Sequence, residues 1–303
     1  MRVPRGRTIR RLLAVLVLLG GVGGPWVAGS VLTRSTTSDV PDAVAPAQDV
    51  RLRSADGLSL AGTYWPGDRS GNRSGAGAAA PGLLLLHGNN SSRAVMAGNA
   101  AWFARQGYAV LTIDLRGHGE SAAAEHSFGL LESRDAWAGY RWLQQRQNGA
   151  PVGIVGVSLG GAATLIGDEG PIPSPAIVLQ AVYPELRRAT AHRLRSVLGP
   201  VLATALEPTL SYQSYPRLGV APGRLSPVTA IAGAHSSFLV IGGLDDVYTP
   251  PADTEAMVAA APKGTQVWWV PDLDHAALSG LESDAYRQQV EQFFDARLRG
   301  VTG

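Results

Sequence analysis

The chain has 303 residues, 45% hydrophobic and 17% charged, with no cysteine. That composition supports a substantial buried core and excludes a disordered chain, a disulfide framework and a thiolate metal site. The formal charge of +2 and the pI near 9.1 conceal an imbalance. Six arginines and one aspartate fall in the first forty residues, which leaves 20 basic against 23 acidic residues, about −3, in the remainder. A mildly acidic body offers no basic patch to track phosphates, so nucleic acid is not expected as a partner.

Residues 1–11 are basic, and residues 12–32 carry no charge. A basic stretch before an apolar run about long enough to cross a bilayer reads as a transmembrane signal anchor, or as a signal peptide cleaved near Ala28-Gly29-Ser30. The length of the run and the lack of a clear A-x-A site favour the anchor. The positive-inside rule then expects a single-pass protein of the cell membrane with its large domain outside the cytoplasm. Secretion after cleavage is the alternative. Residues 33–46, with Pro41 and Pro46, read as a linker, and residues 47–303 as one domain.

Residues 49–54 and 58–65 alternate polar and apolar side chains around Ala55-Asp56-Gly57, the pattern of a β-hairpin. Residues 66–81 are rich in Gly, Ser and Ala and read as a surface loop. Strand and helix patterns then alternate. Leu83-Leu84-Leu85-Leu86 is a strand, 93–106 a helix, 108–113 a strand and 130–147 a helix with Trp137, Tyr140 and Leu143 at core spacing. Strands follow at 152–157 and 176–182. Residues 183–224, punctuated by Pro200, Pro208, Pro216 and Pro222, break the rhythm and read as a cap. Alternation resumes with a strand at 238–242, a helix at 251–260, a strand at 266–270 and a closing helix at 281–298. Such alternation implies an α/β fold: a mostly parallel, twisted sheet with helices on both faces.

Gly156-Val157-Ser158-Leu159-Gly160 fits G-x-S-x-G at the end of a predicted strand, before the small residues of a helix. A serine on such a turn has its hydroxyl pushed clear of the sheet, and the flanking glycines are needed because their positions crowd together. A serine nucleophile needs a base, and the base an orienting acid. Two later strand ends supply them: Gly243-Leu244-Asp245-Asp246 with Pro250, and Asp272-Leu273-Asp274-His275. The order Ser, Asp, His is that of the nucleophile-elbow enzymes.

With His87-Gly88 after one strand and Asp114-x-Arg116-Gly117-x-Gly119-x-Ser121 after the next, residues 50–298 resemble the α/β-hydrolase-fold serine hydrolases of the esterase/lipase-like kind. The resemblance implies Ser158 as nucleophile, His275 as general base and acid, and Asp246 as orienting carboxylate. It places the oxyanion hole at the backbone amides of Asn89 and Leu159. Asp245 competes with Asp246, whose spacing to Gly243 and Pro250 fits the family loop better. Asp272 and Asp274 read as turn residues. His87 and His118 read as structural side chains near the site. His126, His192 and His235 have no partner at metal-ligand spacing, so no metal site is expected. Glu132 and Asp135 read as a solvated or capping pair, and Trp268 and Trp269 as core.

The implied reaction is hydrolysis of a carboxylic ester through an acyl-enzyme, with no cofactor. A cap run of Leu194, Val197, Leu198, Val201, Leu202 and Leu206 suits a small-molecule ester with a hydrophobic portion. The same triad supports a peptidase or amidase, an acyltransferase or a cofactor-free haloperoxidase. A non-catalytic, membrane-anchored binding module is the alternative of another class.

Overall fold

The computed structural model describes residues 21, 23–68 and 80–299. Residues 1–20, Val22 and most of the expected loop at 66–81 lie outside them.

Eight strands form one sheet in the order β10-β9-β8-β7-β4-β5-β3-β2. They are β2 (Gln48–Arg53), β3 (Ser59–Trp65), β4 (Gly82–Leu86), β5 (Ala109–Ile113), β7 (Val152–Val157), β8 (Ala176–Gln180), β9 (Ser237–Gly243) and β10 (Gln266–Val270). β2 and β3 form the expected hairpin, and β3 also runs antiparallel to β5; every other pair is parallel. The central strands are buried on both faces, which is why β4 reads as consecutive leucines and β7 as an unbroken apolar run. One face is covered by helices Glu132–Arg146, Leu159–Leu165 and Pro251–Ala260, and the other by Ala97–Arg105 and Asp284–Phe294. All the parallel strands deliver their carboxyl ends to one rim, where a doubly covered sheet places its chemistry.

Several elements differ from the sequence reading for physical reasons. The helix expected at 93–106 opens with a 3-10 turn, Arg93–Met96, because the Arg93 amide is held by Asp114 Oδ1 at 2.6 Å. The closing helix starts later, at Asp284, where Ser283 accepts from the Tyr286 amide, and it ends in a π turn, Asp295–Arg299. Trp268 and Trp269 are half-buried, because β10 lies at the edge of the sheet. The cap is a long helix, Leu186–Ser211, broken at Gly199 (φ 76°) ahead of Pro200, followed by Ser214–Leu218. Residues 36–37 of the expected linker form a short strand, β1, parallel to β6 (His118–Gly119).

Residues 12–32, expected as a signal anchor or signal peptide, are described from Gly21 on, Val22 excepted. Gly24–Leu32 is a nine-residue helix packed against the cap helix. At about 1.5 Å per residue it spans roughly 14 Å, about half a bilayer core. Among the described residues no helix is long and apolar enough to cross a membrane. Residues 12–20 and Val22 of that stretch lie outside the described residues.

Candidate active site

Ser158 sits where β7 meets the helix Leu159–Leu165, with φ 47° and ψ −107°, in the region that costs a non-glycine residue strain. Its neighbours enforce the turn. A Cβ on Gly156 would lie 2.5 Å from Gly161 Cα, and one on Gly160 would lie 2.6 Å from the Leu86 carbonyl oxygen and 2.8 Å from that of His87. The glycines thus bring the end of β4 directly onto the turn. The Ser158 amide is fixed by donating to Gln180 O at 2.8 Å.

His275 opens the short helix His275–Ser279, capped by Asp274, whose Oδ1 accepts from the Ala277 amide at 2.8 Å. Its Nδ1 lies 2.7 Å from Asp246 Oδ2. Asp246 is buried, and its other oxygen accepts from the amides of Tyr248 at 2.9 Å and Thr249 at 2.8 Å. Three fixed donors hold this carboxylate in one orientation, so the imidazole carries its proton on Nδ1 and keeps Nε2 free to act as a base. Asp245 is exposed and takes no part in this arrangement. Ser158, His275, Asn89 and Leu159 line a single cavity of about 860 Å³. Among the described hydrogen bonds none joins Ser158 to His275; such contacts often tighten only when substrate arrives.

The loop that carries Asn89 is supported from below. The Leu115 amide donates to His87 Nε2 at 3.1 Å, so His87 Nδ1 donates to Gly88 O at 2.7 Å. Arg93 pairs with Asp114 and, at 2.7 Å, with Glu120. Ser121 Oγ donates to Asp114 O at 2.6 Å and accepts from the Ala61 amide at 2.9 Å. Arg116 binds Asp135 through its amide and side chain and reaches Asp56 at 2.7 Å. The D-x-R-G-x-G-x-S residues are thus scaffold for the neighbouring loop. A Cβ on Gly119 would fall 2.2 Å from Asp114 Cγ, which accounts for that glycine.

Glu132 and Asp135 are fully buried and not solvated. Glu132 accepts from the amides of Ser127 at 2.7 Å and Gly129 at 2.9 Å, and Asp135 is the Arg116 partner. His118 stacks on His126 with ring centroids 4.0 Å apart, and its Nε2 lies 3.2 Å from the Asn89 side-chain amide group. Burial, reinforced by the neighbouring histidines, lowers the His118 pKa to about 3; burial also lowers those of His87 and His126. His192 pairs with buried Asp253 at 3.3 Å beside Arg188, tying the cap to the helix Pro251–Ala260. His235 is exposed. Among the described residues no cluster of three or more His, Cys, Asp or Glu is placed to hold a metal ion.

Of the expected cap run, Leu194, Val197 and Leu198 line the cavity, whereas Val201 and Leu202 are exposed away from it and Leu206 is half-buried outside it. Tyr183, Phe128 and residues of the N-terminal segment line it without having been foreseen. Phe128 and Tyr183 lie in loops whose sequence gives no periodic signal.

A family model described as serine aminopeptidase, S33, matches residues 78–215, and the rim geometry of elbow, histidine loop and acid loop accompanies that match. The chain has the α/β-hydrolase fold and over those residues is similar to serine hydrolases. An esterase of Pyrococcus furiosus, Pf2001, superposes on the hydrolase with a TM-score of 0.64 at 18% identity, covering 86% of this chain and 99% of that one. The α/β hydrolase GrgF from Penicillium gives 0.60 at 17% identity, covering 84% and 99%. The acylaminoacyl peptidase of Pyrococcus horikoshii gives 0.59 at 17% identity, covering 85% of the hydrolase and 42% of its own chain. At such identities the likeness speaks for the fold. No curated protein matches the hydrolase in sequence.

Proposed function

We propose that the protein hydrolyses carboxylic esters with a sizeable apolar portion through a Ser158 acyl-enzyme. The observation that carries this reading is the buried Asp246 holding His275 at 2.7 Å on the rim of a cavity that also exposes strained Ser158. His275 Nε2 takes the Ser158 proton as Oγ attacks the ester carbonyl. The amides of Leu159 and Asn89 receive the developing oxyanion. Collapse expels the alcohol, which leaves with the proton from His275. Water, deprotonated by the same nitrogen, then releases the acid and restores the serine.

The cavity's charge argues against a free aminopeptidase substrate. Arg34, Arg193 and Arg217 line it with a single carboxylate, Glu125, which already pairs with Arg217 at 3.5 Å. An α-ammonium group would meet net positive charge there. Export belongs to the same proposal: the basic residues 1–11 and the apolar residues directly after them, ahead of the helix Gly24–Leu32, would direct the domain out of the cytoplasm. A full-length chain shielded from external protease in intact cells would remove that part.

A p-nitrophenyl ester series of rising acyl length, run on the full chain, tests the reaction. Turnover is expected across the series, and Ser158→Ala lowers kcat/KM by about four to six orders of magnitude. Residual activity within about tenfold of the parent would take Ser158 out of the mechanism.

A further inference from the structure

We infer that residues 24–37 form a fixed strap that walls the acyl site and sets the chain length it accepts. The inference rests on the serine-hydrolase reading of the cavity and adds to it a specificity element outside the residues the family model matches.

The strap is stitched into the fold at both ends. At its carboxyl end, Thr36 and Thr37 pair with His118 and Gly119, the loop that supports Asn89. The Thr36 amide donates to Gly117 O at 2.6 Å, the Ser38 amide to Gly119 O at 2.9 Å, and the His126 amide to Thr33 O at 2.7 Å. At its amino end the helix Gly24–Leu32 is latched to the cap. Gln213 Nε2 donates to Pro25 O at 2.7 Å. Arg217 donates to Trp26 O at 3.0 Å and to Ser30 Oγ at 2.6 Å, with its guanidinium 4.1 Å from the centre of the Trp26 ring. Carbonyls near a helix N-terminus normally have helical partners to satisfy them, so side-chain donors recruited from the cap mark a specific seat.

Gly29 shows how close the seat is. It is the one buried residue of this helix, and a Cβ there would fall 2.1 Å from Gln213 Oε1. Gln213 cannot simply swing away, because its amide is also held by Thr209 O at 2.9 Å and by Arg217 Nε at 3.2 Å. Any larger residue at position 29 must break the latch.

What the strap contributes to the cavity is apolar surface. Val31 and Leu32, each more than half exposed, line the same space as Ser158, and so do Val197 and Leu198 of the cap. Side chains this open have no packing role of their own to fill, and they are the ones an alkyl chain leaving Ser158 would cover. Each methylene brought against them is worth about fourfold in apparent affinity. The strap therefore acts on long chains and not on short ones.

The test uses the full-length protein and two alkyl fluorophosphonates, one with an ethyl and one with a dodecyl chain. Ser158 Oγ displaces fluoride from phosphorus as its proton passes to His275, and intact mass reports the rate. The readout is the ratio of dodecyl to ethyl labelling rates. Gly29→Leu and Arg217→Ala, which undo the latch, are expected to lower that ratio by about tenfold. Leu32→Ala, at an exposed position where the fold survives, is expected to lower it about threefold to tenfold. A ratio equal to the parent's in all three variants overturns the strap as a wall while leaving the hydrolase intact. A parent chain that takes no label overturns both. Labelling without ester turnover removes the ester reading alone, and the ratio still decides the strap.

Discussion

The sheet-edge side of the cavity and its cap-and-strap side differ most in what they bury. Along the sheet edge, His87, Asp114, Arg116, His118, Glu132 and Asp135 are all under 3% exposed, and each has a fixed partner. Across the cavity, Val31, Leu32 and Val197 stand 55%, 54% and 79% exposed, and the cap helix is broken at Gly199. One side has sunk charged groups into the interior, where they survive only if every donor and acceptor is answered. The other leaves apolar side chains in water, where they gain from whatever covers them. Chemistry needs atoms held to within fractions of an ångström, whereas fit to an alkyl chain needs area. The division of labour follows from that.

Breaking the rigid side has the largest expected effect. Asp246→Asn keeps the shape of the acid loop but removes the acceptor that fixes the His275 tautomer. It should lower kcat/KM by about 10⁴, with KM little changed and melting temperature near the parent's. A loss smaller than about tenfold would show that another group orients His275.

Acid probes the same side with an intermediate effect. His118 is held neutral down to about pH 3, and burial depresses His87 and His126 in the same direction. The unfolded chain takes those protons near pH 6.5. Between about pH 6.5 and 3 the unfolded state therefore binds more protons, and stability falls as pH falls. Asp56, whose pKa the Arg116 hydrogen bond lowers to about 2, adds to the loss only below its ordinary value near 4. A drop in melting temperature on the order of 5 °C from pH 7 to pH 5 is expected, smaller in His126→Phe. A flat profile over that range would mean the histidines are protonated in the folded protein.

The open side sharpens the contrast by its tolerance. Val201→Ser, on the outer face of the cap, should leave stability within about 0.5 kcal/mol and short-ester turnover unchanged. A large loss in thermal denaturation would mean that this face is covered in the working protein.

The sequence made the rigid side legible where the signal was local. Unbroken apolar runs located β4, β7 and β8, and the glycines around Ser158 located the elbow, because those residues answer crowding within a few positions of themselves. Asp246 could be separated from Asp245 by its spacing to Gly243 and Pro250, and it is Asp246 that the fold puts on His275. Burial of Asp135 was not legible, because its partner Arg116 lies 19 residues earlier and nothing near Asp135 announces it. The edge position of Trp268 and Trp269 depends on strand order, which a strand's own residues do not encode. The strap was hidden more deeply. An apolar, glycine-rich run after an arginine cluster has the composition of a membrane segment. What seats its second half is Gln213 and Arg217, some 190 residues away.

Gly160 carries a consequence for anyone who would harden this protein against heat. In an ordinary helix, exchanging an interior glycine for alanine gains roughly 1 kcal/mol. Here a methyl would press on the Leu86 and His87 carbonyl oxygens and, in the reaction proposed above, lever the Ser158 oxygen away from the amides that would receive charge. The distance between those two parts is set by backbone touching backbone. Side chains throughout the pocket can therefore be exchanged to retune which molecules enter, while the reaction's own ruler stays unaltered.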